Sequence, residues 1–383
     1  LMNSRDRARN QDDPEFPIVE HLTKALKASG ALKGKTIIWH CHLTLLTELA
    51  AQAVLAAGAK IIFSECNSGT TQIEAVQNLR SMDCPVYTGK DSTSHAIEHQ
   101  ADILADTGYV LIPAYITSAK SGVIGASEIT TSGILRLRQQ EPPPFAVVNI
   151  NDGTLKSLIE NFHGVGDGLV EALDANIAGG LQSKKITVAG YGRVGAGCAY
   201  HLALAGAHVS VVEADPVRAL TAHFDGYSLT DLTSALKTSD ILVTATGQAR
   251  LLNQEQYKIA RDGIYIANVG HLAAEVSPEA LEQLCSSKSS ISRGLTSYEL
   301  DSDDYKKDKS IYLFTDGNPV NVALLTGSDK PTMIHLATEI FTWDFIAQNG
   351  PLASLSPGEM AIPAAVEKAA SKVALAALGY QLM

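Results

Sequence analysis

Gly190, Gly192 and Gly195, spaced as Gly-x-Gly-x-x-Gly, follow the β-branched run Ile186-Thr187-Val188-Ala189 and precede a helix-like segment from Gly197 to Ala205. A second strand-like run, His208 to Val212, ends on Glu213. A strand, a glycine turn, a helix and a second strand closed by an acid is a pattern that holds a dinucleotide. Gly190 makes the tight turn, Gly192 lets backbone approach a pyrophosphate, and Gly195 lets the helix pack close. The backbone around Arg193, Val194 and Gly195 then presents helix N-terminal N–H groups to the phosphates. Glu213, about twenty residues after the motif, accepts hydrogen bonds from an adenosine ribose, which favours NAD over NADP.

Other chemistry-bearing residues stand at or just past the ends of strand-like runs: His40-Cys41-His42, Cys66-Asn67 and the segment Asn149 to Lys156. Ligands of doubly wound sheets sit beyond the carboxyl ends of the strands. His40 and His42 alternate as a metal pair would, but no third ligand follows at a suitable spacing, so no metal is expected. The five cysteines, Cys41, Cys66, Cys84, Cys198 and Cys285, are odd in number and scattered, which reads as reduced thiols in a cytoplasmic enzyme.

The elements that must position these residues alternate along the chain. Strands are expected at Lys35 to Trp39, Lys60 to Ser64, near Val86, at Tyr109 to Ile112 and at Ala146 to Ile150. Helices are expected at Leu45 to Ala57 and Thr71 to Arg80, with a long connecting helix from Gly166 to Ala178. Past Glu213, further strands are expected at Ile241–Ala245, Ile264–Asn268 and Ile311–Phe314, then helices at Thr332–Ala347 and Pro363–Leu378. This is an α/β chain of two doubly wound parallel sheets. Its 383 residues suit two domains. The net charge of −11 argues against a nucleic-acid or anionic-membrane surface. No apolar run approaches a membrane span, and no secretory leader is recognisable. The first fifteen residues read as a loose polar arm, with Leu1 a remnant ahead of Met2.

Taken in order, His42-Leu43-Thr44, Cys66-Asn67, Asn149-Ile150-Asn151-Asp152, Lys156-Ser157 and Asn161 precede the glycine motif. Glu213-Ala214-Asp215-Pro216, Thr244-Ala245-Thr246-Gly247 and Asn268-Val269-Gly270-His271 follow it. This series resembles the S-adenosyl-L-homocysteine hydrolase family over roughly residues 20 to 330. The resemblance implies a split substrate domain, residues 1–160 with helices 331–383 returning to it or to an oligomer interface, around a Rossmann NAD domain at 161–330. It implies tightly held NAD recycled within each turnover. The sugar 3′-hydroxyl is oxidised to a ketone, which acidifies the neighbouring 4′-hydrogen. A base removes that hydrogen, and the 5′-substituent leaves.

Residue by residue, Lys156 matches the lysine beside the 3′-hydroxyl, and Asn151 lies near it. Glu160 stands where the family has an aspartate. His42 matches the histidine near carbons 4′ and 5′, and His271 the one near the nicotinamide. Asn161, Thr246, Gly247, Asn268 and Asn321 match positions lining NAD, and Thr130 and Thr131 match threonines that reach back to it. Thr44, Cys66 and Glu128 belong to the substrate side.

Departures cluster on that side. Leu46 takes the place of a glutamate facing adenine, Pro113 of an aspartate that orients the active-site histidine, and Ile129 of a glutamate near the sugar hydroxyls. Val165 replaces a cysteine. Gly327-Ser328-Asp329-Lys330-Pro331 replaces a Gly-His-Pro gate, and the cofactor-capping tail is absent after Gln381-Leu382-Met383, which favours a homo-oligomer that is a dimer rather than a tetramer. The pocket is expected to be apolar and poor in carboxylates. That suits a dehydratase that stops after eliminating water from a nucleoside, as in nucleoside-antibiotic pathways of the angustmycin type. The alternatives are hydrolysis of S-adenosylhomocysteine and a silent NAD-binding regulatory homologue. The partner expected is a small-molecule nucleoside.

Overall fold

The β-branched apolar runs become strands covered on both faces, as parallel strands require. The computed structural model describes residues 16–271, 273–300, 309–350 and 355–380. The expected N-terminal arm and the terminal Gln381-Leu382-Met383 lie outside these. Six strands, β1 (Thr36–Cys41), β2 (Lys60–Glu65), β3 (Val86–Tyr87), β4 (Ile103–Asp106), β5 (Gly125–Glu128) and β6 (Ala146–Asn149), pair in parallel in the order β6-β5-β4-β1-β2-β3. The order reverses between β1 and β4, where a doubly wound sheet opens its ligand crevice.

The strand expected at Tyr109 to Ile112 is absent; β4 lies earlier and the helix Leu111–Thr117 starts there instead. Tyr109 has φ of 55°, which breaks an extended run, and Asp106 accepts the Ile112 N–H at 2.8 Å across the turn. Apolar content without strict alternation does not separate a strand from a buried helical turn.

Leu155–Gly164 winds as a π helix and runs on into the α helix Val165–Asn176. The chain leaves the first compact unit after Glu160 and re-enters it at Asp329.

The second unit contains β7 (Lys185–Ala189), β8 (His208–Val212), β9 (Ser228–Leu229), β10 (Ile241–Thr244), β11 (Ile264–Asn268), β12 (Cys285–Ser292), β13 (Leu295–Leu300) and β14 (Lys309–Phe314). Its parallel strands run β9-β8-β7-β10-β11-β14, the 3-2-1-4-5-6 order of dinucleotide-binding sheets. The antiparallel hairpin β12–β13 extends the sheet beside β14 without a strand signal in the sequence, because its serine-rich first strand is mostly exposed and lacks an apolar face.

After re-entry, the helix Asp329–Asn349 leads to β15 (Gly358–Ala361), which pairs in parallel with β6, and the helix Ala364–Ala377 follows. The Asp329–Asn349 helix is buried along most of its length. Trp343 stacks edge-on against Trp39 of β1, with ring centroids 4.8 Å apart, and its Nε1 donates to Ser127 Oγ of β5 at 3.1 Å.

Candidate functional site

The glycine motif of the second unit has three different local geometries. Gly190 has φ of +98°, and a Cβ there would lie 2.6 Å from the Ala245 carbonyl oxygen. A Cβ at Gly195 would lie 1.9 Å from the Gly190 oxygen, so the helix Arg193–Leu204 packs directly on the end of β7. At Gly192 the nearest atom would be Nη1 of Arg218 at 3.8 Å. Space beside Gly192 is therefore open, next to the first N–H groups of a twelve-residue helix. Glu213, just past β8, accepts from the Tyr191 N–H at 2.6 Å and the Asp215 N–H at 2.9 Å. Those bonds fix its carboxylate and leave it further acceptor capacity for ribose hydroxyls. The cradle fits a dinucleotide.

Thr246 and Gly247, past β10, are clamped by Glu275. That carboxylate accepts from the Thr246 N–H at 2.7 Å, the Thr246 hydroxyl at 2.7 Å and the Gly247 N–H at 3.0 Å. Burial pushes the pKa of Glu275 up, while those donors pull it down. Nothing in the sequence marked Glu275, because its partners lie nearly thirty positions upstream. Asn268 at the end of β11 accepts from Thr244 Oγ1 at 3.0 Å and donates to the Gly270 and Gly317 carbonyls. His271 follows it, half-buried. Asn321 stands in the short helix Val320–Leu324, where a Cβ on Gly168 would come within 2.8 Å of its own Cβ. Asn161 is buried on the π helix.

In the first unit, the carboxyl ends of β1, β2, β4, β5 and β6 gather most of the expected substrate residues. His42 Nδ1 lies 2.6 Å from Thr70 Oγ1, whose hydroxyl donates to the Asn67 carbonyl at 2.9 Å. With that proton committed, Thr70 Oγ1 accepts from the Nδ1–H of His42, which fixes the orientation of the ring. Pro113 lies in the helix after β4, and Thr70 takes the orienting role that an aspartate was expected to have lost there. His40 faces Ser64 Oγ at 3.0 Å; burial lowers its pKa, with Asp106 and Glu65 opposing.

Thr44 caps the helix Leu45–Ala56. On that helix Leu46 packs against the apolar cluster that includes buried Ile129. Val165 is buried in the core of the second unit. Cys66 is half-buried, and desolvation pushes its thiol well above its ordinary range.

The expectation of a carboxylate-poor pocket is corrected. Glu65, Asp106, Glu128 and Glu339 are all buried in this unit. Asp106 and Glu65 are the last residues of their strands, each behind a short run of mostly apolar residues. Glu128 accepts from the N–H groups of Gly108, Tyr109, Ile129 and Thr130 and from the Thr130 hydroxyl. Burial, then neighbouring Asp106, push its pKa upward against those donors. Thr130 also caps the helix Thr131–Leu137, and Thr131 donates to Asn151 Oδ1 at 3.0 Å. The two threonines expected at the cofactor brace Glu128 and Asn151 in this unit.

Lys156 and Glu160 pair on the π helix at 2.5 Å, with side chains 10% and 15% exposed. So dry a pair is held in place far more firmly than a surface pair. A separate cavity of about 440 Å³ lies by β6 and β15, lined by Arg138, Asn149, Asp152 and Glu359, and contains neither member of the pair. Among the described residues, no group of three or more ligating side chains gathers to hold a metal ion, and no helix is long and apolar enough to cross a membrane.

The family model for the NAD-binding domain of S-adenosyl-L-homocysteine hydrolase matches residues 160–327. An adenosylhomocysteinase of Thermococcus kodakarensis is 29% identical, with 96% of this chain and 89% of the relative covered. An S-inosyl-L-homocysteine hydrolase of Methanopyrus kandleri is 30% identical, with the same coverage of 96% and 89%. An adenosylhomocysteinase of Archaeoglobus fulgidus is 30% identical, with 95% and 92% covered. NAD is the cofactor of the second unit. With this likeness sustained along both units, the chain belongs to the S-adenosyl-L-homocysteine hydrolase family.

Proposed function

We propose that the protein is an NAD-dependent enzyme that eliminates the 5′-substituent of a nucleoside, with water as the leaving group and an unsaturated nucleoside as product. This is dehydratase chemistry of the angustmycin type. The observation that carries the reading is the desolvated Lys156–Glu160 pair, in the same unit as a histidine that Thr70 orients. Bound NAD supplies the hydride acceptor that turns the 3′-carbinol into a ketone and later returns the hydride.

The chain's own residues handle the protons. Lys156 Nζ, anchored by Glu160, donates to the 3′-oxygen, and the 3′-hydroxyl proton passes through Nζ to the Glu160 carboxylate, which gives it back through the lysine when the ketone is reduced. His42 Nε2 takes the 4′-proton made acidic by the ketone. The C4′–H electron pair forms the 4′,5′ double bond as the C5′–O bond breaks, and the departing hydroxyl takes a proton from His42. The sum is loss of one water, with no net oxidation. Leu46 and Ile129 support this reading, because both belong to an apolar cluster where the resemblance places acids.

A second reading, hydrolysis of a homocysteine thioether of adenosine or inosine, is favoured by the activities for which the relatives are named. We further propose a cytoplasmic homo-oligomer. The test of function is incubation of the NAD-loaded protein with nucleosides in heavy water, following 4′-hydrogen exchange, NADH absorbance and products. An unsaturated nucleoside without thiol release supports the first reading, and thiol release from a homocysteine nucleoside supports the second. Absence of exchange and of NADH with every nucleoside rejects both.

A further inference from the structure

Among the described residues, five buried side-chain polar atoms lack a hydrogen-bond partner, and four of them belong to three residues: Trp39 Nε1, His335 Nδ1, and Oε1 and Oε2 of Glu339. Unpaired buried polar atoms cost stability, so a native fold concentrates them only for a reason. All three side chains are buried, His335 at 4% exposure and Glu339 and Trp39 at 0%.

They also share a place. His335, Glu339 and Trp343 stand at i, i+4 and i+8 on the helix Asp329–Asn349, hence on one face. Trp343 anchors that face against Trp39 of β1 and Ser127 of β5. A helix leading into a parallel strand runs back against the sheet, so its earlier turns approach the strands' carboxyl ends. The electrostatic neighbours agree with that placement. Glu339 feels Lys156 and Glu128 and acts on Cys41 at the end of β1, and His335 feels Lys156. Trp39 lies close enough to favour the Glu339 anion, although its Nε1 and both Glu339 oxygens lack a hydrogen-bond partner.

We propose that His335, Glu339 and Trp39 form a specificity site that recognises an uncharged donor–acceptor edge of the ligand, such as the amidine or amide edge of a nucleobase. The proposal rests on the nucleoside reading above and adds the groups that choose among nucleosides. Burial pushes Glu339 up to about 8 despite Lys156, and holds His335 well below its ordinary range. Near neutral pH the carboxyl group therefore offers one O–H donor and one acceptor, while the imidazole stays neutral. Such a set pairs with a ligand edge that carries a donor beside an acceptor. It discriminates against an analogue lacking that edge, because its own buried groups would then stay unpaired.

The test is calorimetric binding of adenosine, inosine and purine riboside, which lacks the 6-substituent, to the NAD-loaded protein and to Glu339→Leu, Glu339→Gln and His335→Leu. The wild type is expected to bind adenosine or inosine about tenfold or more tightly than purine riboside. Glu339→Leu should erase that difference, while Glu339→Gln, which keeps a neutral donor and acceptor, should retain most of it. Thermal melting establishes that each variant is folded, and Glu339→Leu should melt no lower than the wild type, because it removes orphaned atoms. Undiminished discrimination by folded Glu339→Leu overturns the proposal and leaves the nucleoside reading standing. Failure of the wild type to bind any of the three nucleosides overturns both.

Discussion

Lys156 Nζ and Glu160 Oε2 lie 2.5 Å apart on one helical segment, both nearly dry, in the unit that also holds His42. The carboxylate acts on chemistry only through the lysine it anchors. Glu160→Gln should lower kcat by about 10² or more, as should Lys156→Ala, since each removes the positioned cation or its anchor. Glu160→Asp should recover part of the rate with little change in KM. Steady-state kinetics with the preferred nucleoside check this, and a Glu160→Gln variant with wild-type kcat would deny the pair its role.

The orientation of His42 comes from Thr70. Thr70→Val keeps the shape of the side chain but removes the acceptor of the Nδ1 proton, so the ring is free to populate the other tautomer. The expected loss is about tenfold to a hundredfold in kcat, with a changed pH–rate profile. Pro113→Ala, on the helix beyond β4, should leave that profile as it is. Stopped-flow absorbance of the NADH transient would locate the loss after the oxidation step.

Two glycines of the dinucleotide motif should fail in different ways. Gly195→Ala forces a Cβ into the Gly190 carbonyl, so the second unit should lose stability, by roughly 3 kcal/mol or more for so severe a clash. Gly192→Ala meets nothing nearer than 3.8 Å, so its melting temperature without cofactor should be unchanged while NAD affinity falls. Differential scanning fluorimetry with and without NAD distinguishes them. Glu213→Ala should likewise weaken NAD, with little effect on the free protein.

Glu339 carries a stability signature in its pH dependence. Its folded pKa, raised by burial to about 8, lies above its unfolded value, so folding takes up a proton between them. Its contribution is fully present below the unfolded pKa and is lost as pH rises through about 8. The slope is about 1.4 kcal/mol per pH unit within the window. Lys156, Glu128, Cys41 and His335 interact with the same cluster, so the quantity to measure is the difference from Glu339→Gln. Denaturant titrations of both proteins from pH 5 to pH 8 should diverge by about one proton's slope, and parallel curves would place Glu339 in an ordinary carboxylate environment.

Part of this was legible in the chain. Local rules determined the glycine turn from Gly190 to Gly195, the alternation of strands and helices, and the acid after β8, because each depends on neighbours within a few residues. The adjacency of Lys156 and Glu160 was likewise a matter of spacing along one helix.

Tertiary structure decided the rest. That Thr70 rather than a carboxylate orients His42 depends on a loop twenty-eight positions away. That Glu275 clamps Thr246 and Gly247, or that Glu128 gathers donors from the β4 and β5 loops, follows from which strands lie side by side in the sheet. Leu46, Pro113 and Ile129 suggested a pocket stripped of acids, but carboxyl groups return at strand ends and on a helix from the far end of the chain. His335 and Glu339 reach Lys156 only because the chain crosses back into the first unit at Asp329. Substitutions read along a chain show what has been removed, whereas long-range folding determines what has been placed opposite.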